Sequence, residues 1–382
     1  MATMKDIFKS FRKTVGSYSA KESPLAKITG MIDTGNYAIN RALCGSIHGG
    51  IPEGRLIDLY GESQSGKSWL AANCIINALT KHNYQRVFYF DSEAGALFKY
   101  IESKGVDLDL IEHVPVHSIE DCTIKLVPLY DALQKAAAAH YADPDKNEMP
   151  RVLCVLDSFG MLASEKIIDD AEKGKTTSDM GKSAKMKNEM ITTLAMRIAE
   201  SNCGLIVINH IYRDPSALFP SKILKQPGGE RLQYCADVQL QMSKLLIKSS
   251  NDDYLTGLEE DDDDTAPERF FKGNKISVIC PKNRAVPPGY ETNLYIDFRY
   301  GPAKYDGLIE DAVKFGFIEE VRGGYIVPSY STKRIPHKVL VKSDEIWDTF
   351  IEDFDKKSVE MLSYSNDITS ELNQMEQEIE KD

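Results

Sequence analysis

Between Arg55 and Trp69 an apolar run, Leu56-Ile57-Asp58-Leu59-Tyr60, passes through Gly61-Glu62-Ser63-Gln64-Ser65-Gly66-Lys67-Ser68 and directly into a helical pattern over Trp69 to Leu79. Gly61 and Gly66 let the backbone wrap inward. The N–H groups that then line the loop, with the helix N-terminus, make a cradle for phosphate. Lys67 adds a full charge toward the β- and γ-phosphates of a nucleotide, and the Ser68 hydroxyl can sit on Mg²⁺. The junction therefore commits the chain to a strand feeding a helix, and the expected nucleotide contacts run from Gly61 through Glu62, Ser63, Gln64, Ser65, Gly66, Lys67 and Ser68 to Trp69.

The segments around it keep the same rhythm. Apolar runs RVFYFDSE, VPV, RVLCVLDS and GLIVINHI alternate with helical stretches between about residues 30 and 300, and VQLQM and KISVIC follow without long helices between them. Near-continuous apolar strands separated by helices predict a mostly parallel sheet covered on both faces, with an antiparallel extension. Lys5 to Val15 places Ile7, Phe8, Phe11 and Val15 at helical spacing, which predicts a short amphipathic helix tied by a Gly16 to Pro24 linker. The expected divisions are 1–27 for that helix and linker, 28–300 for an α/β core and 301–382 for a small α-rich C-terminal region. The last is expected to hold a helix over Tyr305 to Phe315, a turn at Gly323-Gly324 and a charged helical end. Two long connections, 164–181 and 211–229, are expected to be irregular; loops of that length in a compact α/β domain are usually functional.

At 382 residues the chain can bury a substantial core. No run is long and apolar enough to predict a membrane span, and the first residues lack the apolar core of a signal peptide, so a cytoplasmic protein is expected. Seven cysteines without paired spacing predict reduced core thiols. The net charge of −12 is unevenly placed: Asp252 to Asp264 carries −8 and Asp344 to Asp382 carries −10, which leaves the rest of the chain at +6. A mildly basic body keeps an anionic partner open, with an acidic tail that either solubilises the chain or competes for the same surface.

A nucleotide site needs carboxylates as well. Asp157 ends the apolar run RVLCVLD about 90 residues after the loop, where it can hold Mg²⁺ or one of its waters. Asp91 and Glu93 end VFYFDSE; a glutamate beside a γ-phosphate can orient and deprotonate water, whereas the structural alternative is an acid favoured at a helix start. His210 ends GLIVINH at the mouth of the second long connection, beside the crevice where open α/β sheets bind ligands.

In this order, ITGMIDTGNYAINRALCGSIHGGIPEGRLIDLYGESQSGKS, FDSEAGALFKYIESKGVD, VLDSFGMLASEK, SDMGKSAKM, GLIVINH, PGGERLQYCADVQL and Lys282-Asn283-Arg284 resemble the blocks of RecA-family strand-exchange recombinases, in particular the T4-type phage branch. The resemblance implies a RecA-like P-loop ATPase core that uses ATP and Mg²⁺. Glu93 would activate the attacking water, with Lys67 and His210 completing the catalytic set, and Tyr100 would stack on adenine. Ser68 and Asp157 would serve the metal. Lys282 and Arg284 would reach ATP held by the next subunit. The two long connections would be DNA-binding loops, with Lys182 and Lys185 after the first and Arg213, Phe219, Lys222, Lys225, Gly228 and Gly229 in the second. Cations that follow a phosphate backbone and an aromatic wedge suit a single strand of any sequence.

The implied activity is DNA-stimulated ATP hydrolysis by a helical homo-oligomer on single-stranded DNA that pairs it with homologous duplex. A single-strand-binding protein and a loading mediator are the implied partners. Departures exist: acids crowd the first connection, and Leu97 stands where the family has a nucleotide-contacting aspartate. A hexameric helicase on the same core, or an ATP-gated scaffold, are the rival readings.

Overall fold

In the computed structural model the described residues are 3–15, 17, 23, 25, 28–175, 180–211, 224, 226–245, 273–297 and 301–363. Among them, α1 (Met4–Val15) is followed by β1 (Met31–Ile32), α2 (Tyr37–Cys44), β2 (Ile51–Pro52), β3 (Leu56–Gly61), α3 (Lys67–Lys81), β4 (Arg86–Asp91) and α4 (Phe98–Ser103). Then come β5 (Ile111–Pro115), α5 (Ile119–Ala142), β6 (Val152–Asp157), α6 (Glu165–Glu172), α7 (Met180–Ser201), β7 (Leu205–His210), α8 (Arg231–Cys235), β8 (Val238–Lys244), β9 (Gly273–Asn283), β10 (Glu291–Asp297) and β11 (Gly301–Pro302).

Strands β3 to β11 form one sheet in the order β11-β10-β9-β8-β3-β7-β6-β4-β5. From β8 to β5 all pairings are parallel, and from β8 to β11 they are antiparallel. This is the mostly parallel sheet with an antiparallel extension that the strand pattern predicts. Its central strands β3 and β6 are buried along their whole length, because helices cover both faces. On one side Ile57, Leu59, Val87, Val155 and Ile208 pack with α3; on the other Leu56, Cys154, Leu156 and Val207 pack with α5 and α7.

After β11, the region through residue 363 holds short helices and a three-stranded antiparallel sheet over Glu319–Val321, Gly324–Val327 and Ser331–Ile335. Gly323 has φ +78° at the first hairpin, which is the backbone state that a Gly-Gly turn supplies. The helix expected over Tyr305 to Phe315 is the shorter Ile309–Lys314. Trp347, Phe350 and Phe354 close a third core against Ala38 and Ile47. Arg41, 1% exposed, fixes this region to α2 through Asp311 and the Ser358 hydroxyl, with its guanidinium 4.6 Å from the Tyr290 ring centre.

One expectation changes. The connection 164–181 is not irregular throughout, since Glu165–Glu172 is helical; Glu, Lys and Ala are good helix formers and Glu165 lies in the first turn. In α1 the stripe of Ile7, Phe8, Phe11 and Val15 is exposed. All seven cysteines are free thiols. Among the described residues, no helix is long and apolar enough to cross a membrane.

Candidate nucleotide site and loop bases

The parallel register brings the candidate residues to one end of the sheet. Gly61 pairs with His210 across β3 and β7, and Asp91 pairs with Asp157 across β4 and β6. All four therefore stand at carboxyl ends of strands, and β3 reaches β4 only by crossing β7 and β6. That is the switch point where α/β sheets bind ligands.

The loop itself is tightly determined. A Cβ on Gly61 would lie 1.9 Å from the Met242 carbonyl oxygen, and one on Gly66, at φ +92°, would lie 2.2 Å from Ile296. Gln64 adopts φ +59° without being glycine. It is held there by Lys244 Nζ, which donates to Gln64 Oε1 (2.9 Å), and by Asn274 Nδ2, which donates to its carbonyl (3.1 Å). Helix α3 starts at Gly66 with no side-chain cap, so its positive end faces the loop.

Lys67 is 4% exposed and donates to the carbonyls of Gly61 (3.0 Å) and Glu62 (2.6 Å). Burial brings its ammonium down to about 8, against the pull of Asp157, Glu93 and Glu62. Ser68 Oγ donates to Asp157 Oδ2 at 3.0 Å, and Tyr89 OH donates to the same oxygen at 2.7 Å. Burial pushes the Asp157 carboxyl up; the two hydroxyls lower it and the neighbouring Glu93 and Asp91 raise it. Ser68 and Asp157 fit Mg²⁺, because two protein oxygens, one of them a buried carboxylate short of positive charge, leave positions for phosphate oxygens and water.

Glu93 Oε1 lies 2.7 Å from His210 Nε2 and accepts from Ser158 Oγ. Burial acts to raise its pKa, but hydrogen bonds from Ser158 and His210 and the Lys67 charge outweigh it and hold Glu93 below the usual range. Asp91 has a different part: its Oδ1 accepts from the N–H groups of Glu93 (2.9 Å) and Ala94 (2.8 Å) and so shapes the turn that aims Glu93. Tyr100 OH donates to Asn73 Oδ1, and its ring lies 3.7 Å, centroid to centroid, from Trp69. A cavity of about 350 Å³ beside the loop is lined by Gln64, Gly66, Trp69, Asn274, Ile276 and Ile296.

Lys282 and Arg284 are elsewhere. Lys282 Nζ donates to the carbonyls of Gln233 (2.6 Å) and Tyr234 (2.7 Å), and Arg284 donates to Tyr234 O (3.0 Å) and pairs with Asp237 (3.2 Å). Lys282 pairs with Gln239 near the amino end of β8, the end remote from Gly61. The two cations thus face away from the chain's own loop.

The bases of the two long connections meet. Lys182 and Lys185 are exposed on α7, Lys185 with Glu189 at 3.9 Å. Further along α7, the Asn188 side chain lies 2.5 Å from where a Cβ on Gly229 would stand, and Lys187 lies in tight contact, 3.3 Å, with one on Gly228. Lys187 Nζ donates to Gly160 O at 3.1 Å. Arg213, Phe219, Lys222 and Lys225 lie outside the described residues.

Sequence reasoning missed Tyr89, Ser158, Asn209 and Gln226. The first was open to detection, being two residues before Asp91 on a strand and so on the same face. Gln226 carried no local signal.

Residues 1–259 match the family model for the RecA N-terminal domain. The chain is 26% identical over 309 residues to the recombination and repair protein of Enterobacteria phage T4, covering 81% of this chain and 69% of that one. It is 26% identical to protein RecA of Aquifex aeolicus (80% and 75% covered) and 25% identical to protein RecA of Brucella anthropi (87% and 80% covered).

Proposed function

We propose a function from one premise: this chain belongs to the RecA family. It is a DNA-dependent ATPase that assembles head to tail on single-stranded DNA and promotes pairing and strand exchange with homologous duplex. The observation that carries this reading is the division of one site between two ends of the sheet. Lys67, Asp157, Glu93 and His210 converge at the carboxyl ends, while Lys282 and Arg284 lie toward the other end. Head-to-tail stacking brings such ends together, and a contact of that kind that does not close generates a helix. The exposed apolar stripe of α1 supplies further contact with a neighbouring copy.

ATP lies on Gly61 to Ser68 with its γ-phosphate toward Lys67. Glu93, kept ionised by Ser158 and His210, orients the attacking water and takes its proton. Lys282 and Arg284 of the adjoining copy stabilise the charge that develops on the γ-phosphate. Ser68 and Asp157 would hold Mg²⁺, which would supply positive charge to the phosphates when bound. Hydrolysis to ADP and phosphate removes the charge that these cations grip, and with it the tie between subunits. His210, bonded to Glu93, starts the second DNA loop, so phosphate occupancy and DNA binding are read at one hydrogen bond.

The test is ATP hydrolysis with and without single-stranded DNA, with electron micrographs of the same samples. DNA-stimulated hydrolysis with open helical filaments is the expected result. Closed rings would replace this reading with a helicase, and hydrolysis indifferent to DNA would replace it with a scaffold.

A further inference from the structure

Asp58 is a charged residue in the middle of β3, fully buried, three residues before the phosphate loop. Its Oδ2 accepts from two amides, Gln226 Nε2 at 2.7 Å and Gln239 Nε2 at 2.7 Å. Its Oδ1 has no hydrogen-bond partner among the described residues. A buried carboxylate oxygen that finds no donor among the described side chains is costly, and an apolar residue here would avoid the cost.

The two amides belong to different parts of the proposed machinery. Gln226 stands at the exit of the connection 211–229, and its Oε1 accepts from Asn209 Nδ2 at 3.0 Å; Asn209 precedes His210. Gln239 lies on β8 directly across from Lys282, at a register shift in the β8–β9 ladder. Gln241, beyond that shift, accepts from the Leu224 N–H at 2.8 Å. A continuous polar chain thus runs from Glu93 and His210 through Asn209, Gln226, Asp58 and Gln239 to the strand position that carries Lys282.

We propose that Asp58 is a positioning residue that couples the second DNA loop to the Lys282–Arg284 edge, so that the arrangement of one sets the arrangement of the other. It holds the loop exit and β8 to a single oxygen, while its second oxygen has no donor among the described residues. The link can therefore take up another donor when the loop exit moves, and a chain of amides alone would lack that spare acceptor.

Burial pushes the Asp58 carboxyl up to about 6, with the Gln226 and Gln239 hydrogen bonds and the Lys282 charge opposing. The charge acting on it is Lys282 from β9, and Asp58 in turn acts on Tyr60 of β3. β7 sets Val207 beside it, and among the described residues β8 and the loop exit present the amides of Gln239 and Gln226.

The coupling rests on the functional reading above, and the experiment separates the two. Single-strand affinity is measured with and without ATP for the full-length wild type, Asp58→Asn and Gln239→Leu, across about pH 5.5 to 8, a range that spans a carboxyl near 6. In the wild type ATP tightens DNA binding, and the gain shrinks below about pH 6 as Asp58 takes a proton. Both variants are expected to keep ATP affinity and ATP-free DNA affinity within about twofold but to lose at least about fivefold of the gain, with Asp58→Asn flat against pH. The double variant should lose no more than either single one, as residues acting in one chain do. If the wild type shows no ATP-dependent gain, the functional reading falls and takes the coupling with it. If it shows the gain and both variants match it in size and pH profile, the coupling alone is overturned.

Discussion

Two regions of the molecule bury charge, and they do so in opposite ways. Under the C-terminal region, Arg41 meets Asp311, the Ser358 hydroxyl and the Tyr290 ring, and its charge is answered on every side. At the phosphate loop, Lys67 is nearly as buried, yet its hydrogen bonds go mainly to the backbone carbonyls of Gly61 and Glu62, and burial lowers its pKa to about 8. The first cluster is closed and holds the fold together. The second is under tension, as burial outweighs the carboxylates that draw its charge, and this fits the anion-holding role proposed for it. A buried charge that is fully answered marks architecture, and one that is under-answered marks a site.

The largest effect that can break this comparison is at Lys67. Lys67→Ala is expected to lower ATP hydrolysis by on the order of 10³-fold or more, as loss of a charge aimed at the transition state does. It is also expected to leave the folded chain as stable as the wild type, or more so. The sign follows from the lowered pKa: holding Lys67 charged costs stability below about pH 8, and the cost fades as pH rises from there toward the unfolded value. Any stability advantage of the variant should therefore shrink in alkaline buffer. A variant that is inactive but markedly less stable at pH 7 would move Lys67 into the architectural class.

Arg41→Ala is the converse. Removing one partner of a buried pair leaves Asp311 unanswered, and a loss of about 3–5 kcal/mol in urea denaturation is expected. ATP affinity of the molecules that remain folded should be unchanged. A loss below about 1 kcal/mol, the level of exposed pairs, would show that the clamp is not closed.

The same contrast explains what could be read from the sequence. The strand-loop-helix junction, the carboxylates ending β4 and β6 and the alternation of strands and helices are local patterns with local causes, and they placed Lys67, Asp157 and Glu93 at one sheet end. The polar connections are not local. Arg41 and Asp311 are 270 residues apart in the chain, and Gln226 and Asp58 are 168 apart. Nothing in either neighbourhood announces its partner. The C-terminal hairpins were hidden for another reason: β-strands over Glu319–Val321 and Ser331–Ile335 are short, charged and mostly exposed, so they lack the apolar alternation that reveals a strand.

A smaller effect sharpens the division within the site. Glu93→Gln keeps the shape but not the charge, and should lower hydrolysis by about 10²-fold while sparing ATP binding, as removal of a general base does. Lys67 then also loses one of the three carboxylates that draw its charge, the others being Asp157 and Glu62. If the assembly reading holds, the variant stays on single-stranded DNA longer with ATP than the wild type does. Equal residence times would separate hydrolysis from release.

Tyr89 tests whether the two classes can share one residue. Its ring belongs to the main core, 3% exposed, and its hydroxyl donates to Asp157. Tyr89→Phe keeps the packing and removes one donor from a buried carboxylate, so about 1–2 kcal/mol of stability should be lost without nucleotide. With ATP and Mg²⁺ present, the cation answers that carboxylate and the loss should shrink, so ligand-induced stabilisation is larger in the variant than in the wild type. An equal loss with and without nucleotide would make the hydroxyl part of the architecture, and Asp157 would then be held in place by the core rather than by what binds beside it.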